Sequence, residues 1–485
     1  MSTNGSTDKR KVLLVNPNQV KPPVGPLALD YLAYALEENG FIVDILDLCF
    51  VPDFARAIAD YFAKNEVMAV AVTLRNADDT FFVTQDFCLD RYREVVERVK
   101  NHTGAPIVLG GSGFSVMPRA VLDYYGLELG IWGEGEITLP LLIRNLDTKA
   151  RYGFVPGLLW RDGNVFRQNM PVHLDLADFN PRRTAIDNRR YFLEGGMAGI
   201  ETKRGCPRSC IYCVDPVGKG RKLRLRSPRS VAGEFQALLG QGIDYVHLCD
   251  SEFNIPPEHA REVCLELIAR GLGGKVRWYT YATPAGFSAE LAGLLRRAGC
   301  VGINFGVDSG SDRILKRLGR DFRQEDLFSA ADACRRAGIV VMFDLLLGGP
   351  DETPETLRQT IEVMKMISPH RVGASLGIRV FPDTRIAELV RQEGLPALNP
   401  NLRGYVDGNG GFFFPVYYVS AALGDDPFGD LERLIDGDER FFFFGPSAGE
   451  DRNYNYNDNS VLCEAIRKGY RGAFWDILRR LAQER

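Results

Sequence analysis

The stretch MAGIETKRGCPRSCIYC, residues 197–213, joins a short apolar run to three closely spaced cysteines. The apolar run predicts a buried strand, and Cys206, Cys210 and Cys213 follow it with the spacing C-x3-C-x2-C. Three thiolates on one short loop can ligate three irons of a 4Fe–4S cube, whose usual complement is four cysteines. The fourth iron would then stay open for a small molecule.

Two other interpretations of the three cysteines remain open. A structural zinc site needs a fourth ligand, and the nearest histidines, His173 and His247, are distant in sequence. An inert group of buried cysteines is the other alternative. That interpretation suits the scattered thiols better, because free cysteine in a reducing compartment behaves as a small apolar residue. The scattered thiols are Cys49, Cys88, Cys249, Cys264, Cys300, Cys334 and Cys463.

The strand before the cysteines begins a regular alternation of strands and helices. From residue 196, six apolar runs alternate with helical patterns such as EHAREVCLELIARG. Six consecutive βα units predict a partial (β/α)6 barrel over residues 196–385, and such barrels carry their chemistry at the carboxyl ends of the strands. The three cysteines would therefore lie at the barrel mouth.

The segment before the barrel alternates in the same way. Five apolar runs within residues 11–147, beginning with KVLLVNP, are each followed by an amphipathic segment. This pattern predicts an α/β, doubly wound (Rossmann-like) domain with a parallel sheet. Residues 148–195 are interpreted as a linker with a hairpin-like RDGN turn. The polar residues 1–10 predict a disordered N-terminus, and residues 386–485 form a C-terminal extension of different composition.

Composition excludes several classes of function. The 59 Lys and Arg residues against 63 Asp and Glu residues give a net charge of −4, so no basic field attracts nucleic acid. No run approaches the ~18 apolar residues of a membrane span, and no apolar signal segment is present. We therefore expect a cytoplasmic protein that acts on a small molecule or a peptide.

The cysteine motif and the later strand ends resemble the radical S-adenosylmethionine (SAM) superfamily over residues 196 to about 385. That family's signature is C-x3-C-x2-C after the first barrel strand, with an aromatic residue, here Tyr212, before the last cysteine. The resemblance implies that the three cysteines hold the cluster, that SAM chelates the open iron, and that one electron cleaves SAM to a 5′-deoxyadenosyl radical. It also implies SAM contacts from Tyr212, from Glu252 with Asp250 and Ser251, from Asp308 or Ser309, from Gly348 and Gly349, and from Arg379. For each polar residue the alternative is an ordinary strand-end cap or surface pair.

A doubly wound domain ahead of such a barrel looks like the cobalamin-binding domain of the B12-dependent radical SAM class. VLGGSGFSVMPRAVL and GIWGEGE are its most specific parts. The resemblance implies cobalamin contacts from Gly110, Gly111, Ser112, Gly113, Gly133, Glu134 and Gly135. No histidine precedes His102, so the D-x-H-x-x-G motif that ligates cobalt in many cobalamin proteins is absent.

One further group is expected beneath the corrin. TLRNADDT resembles the tryptophan 2-C-methyltransferase type, which implies that Arg75, with Asn76 beside it, occupies that place. A cation that cannot coordinate cobalt would ease methyl transfer. The alternative is that Arg75 pairs with Asp78 or Asp79 at a loop surface.

The C-terminal extension is rich in rings and amides. FFFFGPS and NYNYNDN could form a lid that excludes water and orients a polar substrate through Tyr454, Asn455, Tyr456 and Asn457. The alternative for the phenylalanines is ordinary core packing, which we favour because such residues are usually buried.

These features together predict a cobalamin-dependent radical SAM methyltransferase. It would transfer a methyl group from SAM through methylcobalamin to a carbon or a phosphorus of its substrate, with a flavodoxin- or ferredoxin-type protein as external electron donor. One alternative is a radical SAM cyclase or rearrangement enzyme, with or without cobalamin. Another is a non-catalytic corrinoid or iron–sulfur binding module.

Overall fold

The apolar runs of the N-terminal third become the strands of one sheet. The computed structural model of the protein describes residues 10–394, 396–406, 408, 410–443, 445 and 458–484. The first sheet contains β1 (Lys11–Asn16), β2 (Ile42–Asp47), β3 (Ala69–Thr73), β4 (Ile107–Gly110), β5 (Leu129–Ile131), β6 (Leu158–Asp162) and β7 (Val165–Gln168). Its strand order is β2-β1-β3-β4-β5-β6-β7, with β1 to β5 parallel.

This order places a topological switch point between β1 and β3. The helices of the first unit are α1 (Leu27–Glu38), α2 (Phe54–Phe62), α3 (Cys88–His102), α4 (Ser112–Ser115), α5 (Pro118–Tyr125) and α6 (Gly135–Ile143). They cover both faces of the sheet and give it two separate apolar cores. Open sheets of this kind bind ligands beyond the carboxyl ends of the strands that flank the switch point.

The hairpin of β6 and β7 belongs to this first sheet, although it lies within the segment predicted as a linker. β6 pairs antiparallel with β5, and β7 pairs antiparallel with β6. The RDGN turn, residues 161–164, joins the two strands as its sequence indicates. The sheet therefore extends to Gln168.

A second seven-stranded sheet forms the partial barrel. Its strands are β8 (Ala198–Ile200), β11 (Tyr245–Leu248), β12 (Arg277–Ala282), β13 (Cys300–Asp308), β14 (Val340–Leu347), β15 (Arg371–Leu376) and β19 (Phe441–Phe443), all parallel. The first six are the predicted barrel strands. The seventh comes from the phenylalanine run of the C-terminal extension, which therefore has a structural role.

In the described residues, two small sheets and twelve helices complete the second unit. β9 (Lys203–Arg204) pairs with β10 (Arg224–Leu225), and β18 (Val416–Tyr418) pairs with β16 (Ile378–Arg379) and β17 (Leu402–Gly404). Within the described residues the helices are α7 (Asn188–Gly195), α8 (Asp215–Lys219), α9 (Pro228–Gly240), α10 (Pro257–Ala269), α11 (Ala289–Arg297), α12 (Asp312–Arg317), α13 (Gln324–Ala337), α14 (Pro354–Ile367), α15 (Arg385–Glu393), α16 (Pro427–Ile435), α17 (Ser460–Arg467) and α18 (Phe474–Gln483). No helix in the described ranges has the length and apolarity that a bilayer crossing requires.

A buried ionic network joins the two units. The Arg183 guanidinium lies 2.8 Å from the Asp30 carboxylate of α1 and 2.6 Å from the Glu234 carboxylate of α9. Arg226 lies 2.6 Å from the other oxygen of Glu234, and the Tyr31 hydroxyl of α1 donates to Glu234 as well. All four charged side chains are at most 2% exposed. Breaking one buried pair of this kind costs several kcal/mol, so the network holds the two units in a fixed relation.

Candidate active site

The three cysteines line one cavity at the carboxyl ends of β8 and β11. The cavity has a volume of about 300 Å³, and its wall includes Cys206, Cys210 and Cys213. The other side chains that line it are Arg208, Tyr212, Asp215, Pro216, Lys219, Cys249, Asp250, Ser251, Glu252, Tyr281 and Arg320. Four of the predicted SAM contacts, Tyr212, Asp250, Ser251 and Glu252, therefore meet the cysteines at the predicted barrel mouth.

Two glycines shape the loop that carries the cysteines. Gly205 has a φ of +93°, and a Cβ there would lie 2.2 Å from the Lys222 carbonyl oxygen. Gly319, with a φ of +78°, packs so closely on the loop that its Cβ would lie 2.4 Å from the Ser209 carbonyl oxygen. No other residue type fits these contacts without movement of the backbone. The loop is thus held from both sides.

The donor set suits an iron–sulfur cluster better than a single zinc ion. Within the part of the chain that the structure describes, no three His, Cys, Asp or Glu side chains are arranged to hold one metal ion. The three thiols are free and instead surround the cavity. Burial raises the pKa of all three thiols. Because the thiolate is the form that binds metal, binding of the cluster would compensate for this burial.

Arg320 is one of three cations that line the cavity, with Arg208 and Lys219. Its guanidinium donates to the Cys210 sulfur at 3.0 Å and to the Gly306 carbonyl oxygen at 2.6 Å, and it lies 3.4 Å from the Asp308 carboxylate. Burial by itself would lower the pKa of Arg320, but Asp308 and the other nearby acidic groups, among them Glu252, raise it well above its ordinary value. Arg320 therefore stays charged beside the cluster loop.

An irregularity in β13 aims Asp308 into this group. The register with β14 shifts between Gly306 and Asp308, and Asp308 has a φ of +65°. A bulge of this kind redirects the side chain that follows it. The Asp308 carboxylate accepts a hydrogen bond from the Tyr212 hydroxyl at 2.6 Å. Asp308, Tyr212 and Arg320 therefore form one connected set.

The three polar residues after β11 make different contacts. Asp250 accepts from the Thr202 backbone at 2.8 Å and from its hydroxyl, so it ties β11 to β8. The Ser251 hydroxyl donates to Asp215 at 2.6 Å. Glu252 lies between two guanidinium groups, 2.8 Å from Arg208 and 3.5 Å from Arg320. Asp250 is fixed by neighbouring strands, whereas Glu252 presents a carboxylate at the cavity wall.

The structure corrects the prediction for Arg379. Gly377, with a φ of +102°, turns the chain out of the barrel, so Arg379 lies on β16 in a separate antiparallel sheet. Its guanidinium is 3% exposed, lies 2.8 Å from the Asp78 carboxylate of the first unit, and donates to the Phe412 carbonyl oxygen. Arg379 therefore does not line the cavity and joins the two units instead. The same pairing engages Asp78, one of the two acidic partners considered for Arg75.

Four other predicted SAM contacts, Asp308 among them, also lie outside the cavity wall. Ser309 is fully buried, and its hydroxyl bonds the Thr360 hydroxyl at 2.9 Å. Gly348 and Gly349 donate their backbone N–H groups to the carboxylate of Glu352, at 3.1 Å for Gly349. Burial raises the pKa of Glu352 to about 7. The Glu352 carboxylate therefore holds the glycine pair at the end of β14.

The glycine-rich loop of the first unit packs mainly against the protein itself. A Cβ on Gly111 would lie 2.5 Å from the Leu74 carbonyl oxygen, and one on Gly113 would lie 2.4 Å from the Asn76 carbonyl carbon. The Ser112 hydroxyl donates to the Arg75 carbonyl oxygen at 2.7 Å. By contrast, the nearest atom to a Cβ on Gly110 would be 3.8 Å away. The loop thus fixes the backbone of Arg75 and Asn76 beside the switch point.

The second glycine segment contacts the barrel. The Gly133 N–H donates to the Ser115 hydroxyl at 3.0 Å, and Gly135 begins α6. Glu134 is buried and accepts from Arg224 of β10 at 2.8 Å, so its carboxylate joins the two units. That Glu134 also borders the corrin stays a prediction.

Some residues of the site were not found from the sequence, and some predicted residues cannot be placed. Arg320, Arg208, Lys219 and Tyr281 line the cavity. Arg320 ends the segment GVDSGSDRILKRLGR, in which a basic residue near a strand end was an available signal. The predicted substrate residues Tyr454, Asn455, Tyr456 and Asn457 lie outside the described residues.

This arrangement defines a class of protein. A partial barrel with three cavity-lining cysteines after its first strand, joined to a doubly wound domain, is the architecture of a radical SAM enzyme with a cobalamin-binding domain. Residues 200–364 match the family model of the radical SAM superfamily, and residues 14–143 match the B12 binding domain.

Comparisons with individual proteins narrow the class. Tryptophan 2-C-methyltransferase of Streptomyces laurentii is 31% identical over 96% of this chain and 95% of its own length. Cytidylyl-2-hydroxyethylphosphonate methyltransferase of Streptomyces wedmorensis is 27% identical over 64% of this chain and 67% of its own length. TsrM, a radical SAM methyltransferase from Kitasatospora setae solved with tryptophan substrate and the SAM analogue aza-SAM, matches with a TM-score of 0.90. It is 32% identical, over 98% of this chain and 99% of that chain. A second TsrM structure, with cobalamin and a 4Fe–4S cluster bound, gives a TM-score of 0.89.

The chain therefore belongs to the family of cobalamin-dependent radical SAM methyltransferases that includes tryptophan 2-C-methyltransferase. The predicted fold class, the predicted methyltransferase activity and the predicted cofactors are confirmed.

Proposed function

We propose that the protein transfers a methyl group from SAM to a carbon of tryptophan or of a closely related indole. The observation that carries the proposal is the similarity to tryptophan 2-C-methyltransferase, which spans nearly the whole of both chains. The TsrM structure with tryptophan substrate adds support, because it covers almost all of this chain.

The test is an anaerobic reaction of the cluster-reconstituted, cobalamin-loaded protein with SAM and tryptophan. Mass spectrometry should detect methylated tryptophan, and NMR should place the new methyl group on a ring carbon. Formation of one 5′-deoxyadenosine per product would indicate a radical route, and methylation without it would indicate a polar route. If no indole compound is methylated while SAM is bound, the proposed substrate class is wrong.

We propose roles for the residues of the cavity. Cys206, Cys210 and Cys213 hold the cluster, which, when bound, presents an open iron to SAM. Glu252 receives the ammonium group of SAM, and Arg320 receives its carboxylate, because each is a partly buried charge of the required sign at the cavity wall. The Tyr212–Asp308 pair fixes the orientation of Arg320, and Tyr212 lines the same wall.

We also propose that cobalamin binds at the switch point of the first unit, in front of Arg75 and Asn76. Cobalamin, when bound, relays the methyl group. The loop Gly110–Gly113 holds the Arg75 backbone from one side, which supports this placement. The test is an ultraviolet-visible spectrum of protein reconstituted with hydroxocobalamin. An Arg75→His variant should change the corrin bands, since imidazole can ligate cobalt and guanidinium cannot.

An external electron donor is part of the proposal. Pro207 and Ser209 of the cluster loop are exposed, and the exposed cations Arg221 and Arg385 donate to the carbonyl oxygens of Arg208 and Ser209. This charge fits an acidic flavodoxin or ferredoxin. Reduction of the cluster by such a protein should slow as the salt concentration rises. A cytoplasmic location is proposed as well, and it is supported by ten free cysteines.

A further inference from the structure

Four consecutive barrel strands carry polar side chains on the face that turns away from the helices. These are His247 on β11, Tyr281 on β12, Asn304 on β13 and Asp344 on β14. The residues next to these four in sequence, such as Phe305 beside Asn304, pack into the apolar core under the helices. Because successive side chains of a strand alternate between faces, the four polar groups point into the barrel interior.

Of these four side chains, Asn304 has a buried polar atom without a hydrogen-bond partner. It is 7% exposed, and its Nδ2 donates to the Asp344 carboxylate at 2.7 Å. A carboxylate only accepts hydrogen bonds, so this contact fixes which end of the amide is nitrogen. The Oδ1 atom is then turned away from Asp344, and it is buried without a hydrogen-bond partner. A buried acceptor without a partner is unusual in a folded protein and requires an explanation.

Asn304 is adjacent to a residue of the cavity wall. Asn304 and Tyr281 are register partners on adjacent parallel strands, and Tyr281 lines the cavity with the cluster cysteines. The His247 ring lies 5.0 Å from the Tyr281 ring, and burial lowers the pKa of His247 to about 4. At neutral pH the histidine is therefore uncharged and adds no cation that would repel a protonated ligand.

We propose that Asn304 Oδ1 accepts a hydrogen bond from an N–H group of the substrate and selects substrates that carry one. The proposal rests on the proposed function, because it assigns this N–H group to the methyl acceptor. The Asp344 carboxylate holds the amide nitrogen of Asn304, so the atom left for a ligand is the amide oxygen. That oxygen accepts hydrogen bonds and cannot donate them. The ligand group is therefore a donor, either a protonated amine or a ring N–H. Tryptophan contains both.

The experiment measures dissociation constants by calorimetry on the cluster-reconstituted protein with three ligands. Tryptophan has both donors, indole-3-propionate lacks the amine, and 3-(benzothiophen-3-yl)alanine lacks the ring N–H. One analogue would leave Asn304 Oδ1 buried without a partner, so its dissociation constant should be roughly 5- to 150-fold higher than that of tryptophan. The analogue that binds more weakly identifies which N–H group of tryptophan Asn304 recognises.

Two variants remove the acceptor in different ways. Asn304→Leu deletes it. Asp344→Asn preserves the size of the side-chain pair but supplies an amide N–H. This group can donate to Asn304 Oδ1, so the acceptor then has a partner within the protein. In both variants the preference for tryptophan over the weakened analogue should fall to within about twofold. Thr280→Val is the matched control, because Thr280 is buried on β12 but faces the helices, and it should keep the wild-type ratio.

The outcomes separate the inference from the proposed function. Absence of binding for all three ligands to the wild-type protein overturns the proposed substrate class. Binding without discrimination against either analogue overturns the inference alone. The same holds if discrimination is unchanged in both variants while their thermal unfolding and cluster absorption match the wild type.

Discussion

Arg320→Met tests the assignment of the SAM carboxylate site. Arg320 contacts a cysteine sulfur, a carbonyl oxygen and two carboxylates at the cavity wall, and its side chain is 8% exposed. A hydrogen bond between charged groups contributes about 1.5–3 kcal/mol. Loss of the guanidinium should therefore raise the dissociation constant of SAM roughly 10- to 150-fold. Arg320→Lys should give a smaller loss, because lysine keeps the charge but not the planar fork.

The assay is calorimetric titration of SAM into the anaerobic, cluster-reconstituted protein, with cluster absorption measured in parallel. Arg379→Met is the matched control, because both arginines were candidates near barrel strand ends. Removal of Arg379 leaves Asp78 buried without a cation and should cost about 3–5 kcal/mol of unfolding free energy. At temperatures where this variant is folded, its dissociation constant for SAM should lie within about twofold of the wild-type value. If Arg379→Met weakens SAM tenfold at unchanged stability while Arg320→Met does not, the structural assignment is refuted.

Three further predictions concern the stability of the fold, each measured by urea unfolding. Arg183→Met leaves two buried carboxylates without their shared cation and should cost about 3–5 kcal/mol; an effect below 1 kcal/mol would contradict the fixed relation of the two units. Gly113→Ala forces a Cβ against backbone and should cost about 1–3 kcal/mol, whereas Gly110→Ala should stay within about 0.5 kcal/mol; equal effects would refute the packing argument. Glu352 has a native pKa raised to about 7 from 4.5, so it holds a proton in the native state that the unfolded chain has released. Its contribution to stability is complete below about pH 4.5 and should decline by about 3 kcal/mol as pH rises through 7. Glu352→Gln should remove that decline, and an unchanged pH profile would contradict it.

The architecture was predictable because the signals that encode it are local. Each barrel strand is a short apolar run followed by a helical pattern, and the cysteine spacing stands directly after the first of them. Cys206, Cys210 and Cys213 meet at one cavity since their spacing confines them to one loop, whatever the rest of the chain does.

Sequence patterns were insufficient where a distant contact decides the role of a residue. Arg379 follows a strand pattern, but the positive φ of Gly377 moves it into another sheet, where Asp78 from the first unit pairs with it. A glycine inside a strand pattern is a signal of such a break, and LGIRV contains it. The partner of Glu134 is ninety residues away, so no local pattern could reveal it.

The roles of Gly111 and Gly113 were also beyond local patterns. A glycine-rich strand end suits both a ligand that approaches the backbone and a second piece of protein that does so. Only the fold shows that the backbone at Leu74–Asn76 occupies that space. The loop still serves the candidate cobalamin site, but through the position it gives Arg75.

The contact between the two units explains how one chain can serve two cofactors. Helix α8 begins two residues after Cys213, and a Cβ on its Gly218 would lie 3.6 Å from the Cβ of Ser115 in the glycine-rich loop. The cluster loop and the loop that fixes Arg75 are therefore separated by one short helix. The ionic network around Glu234 and the Arg379–Asp78 pair are two separate buried contacts between the units, and both stabilise this separation. A methyl group relayed between the two sites would therefore travel a distance that the folded chain fixes before any substrate binds.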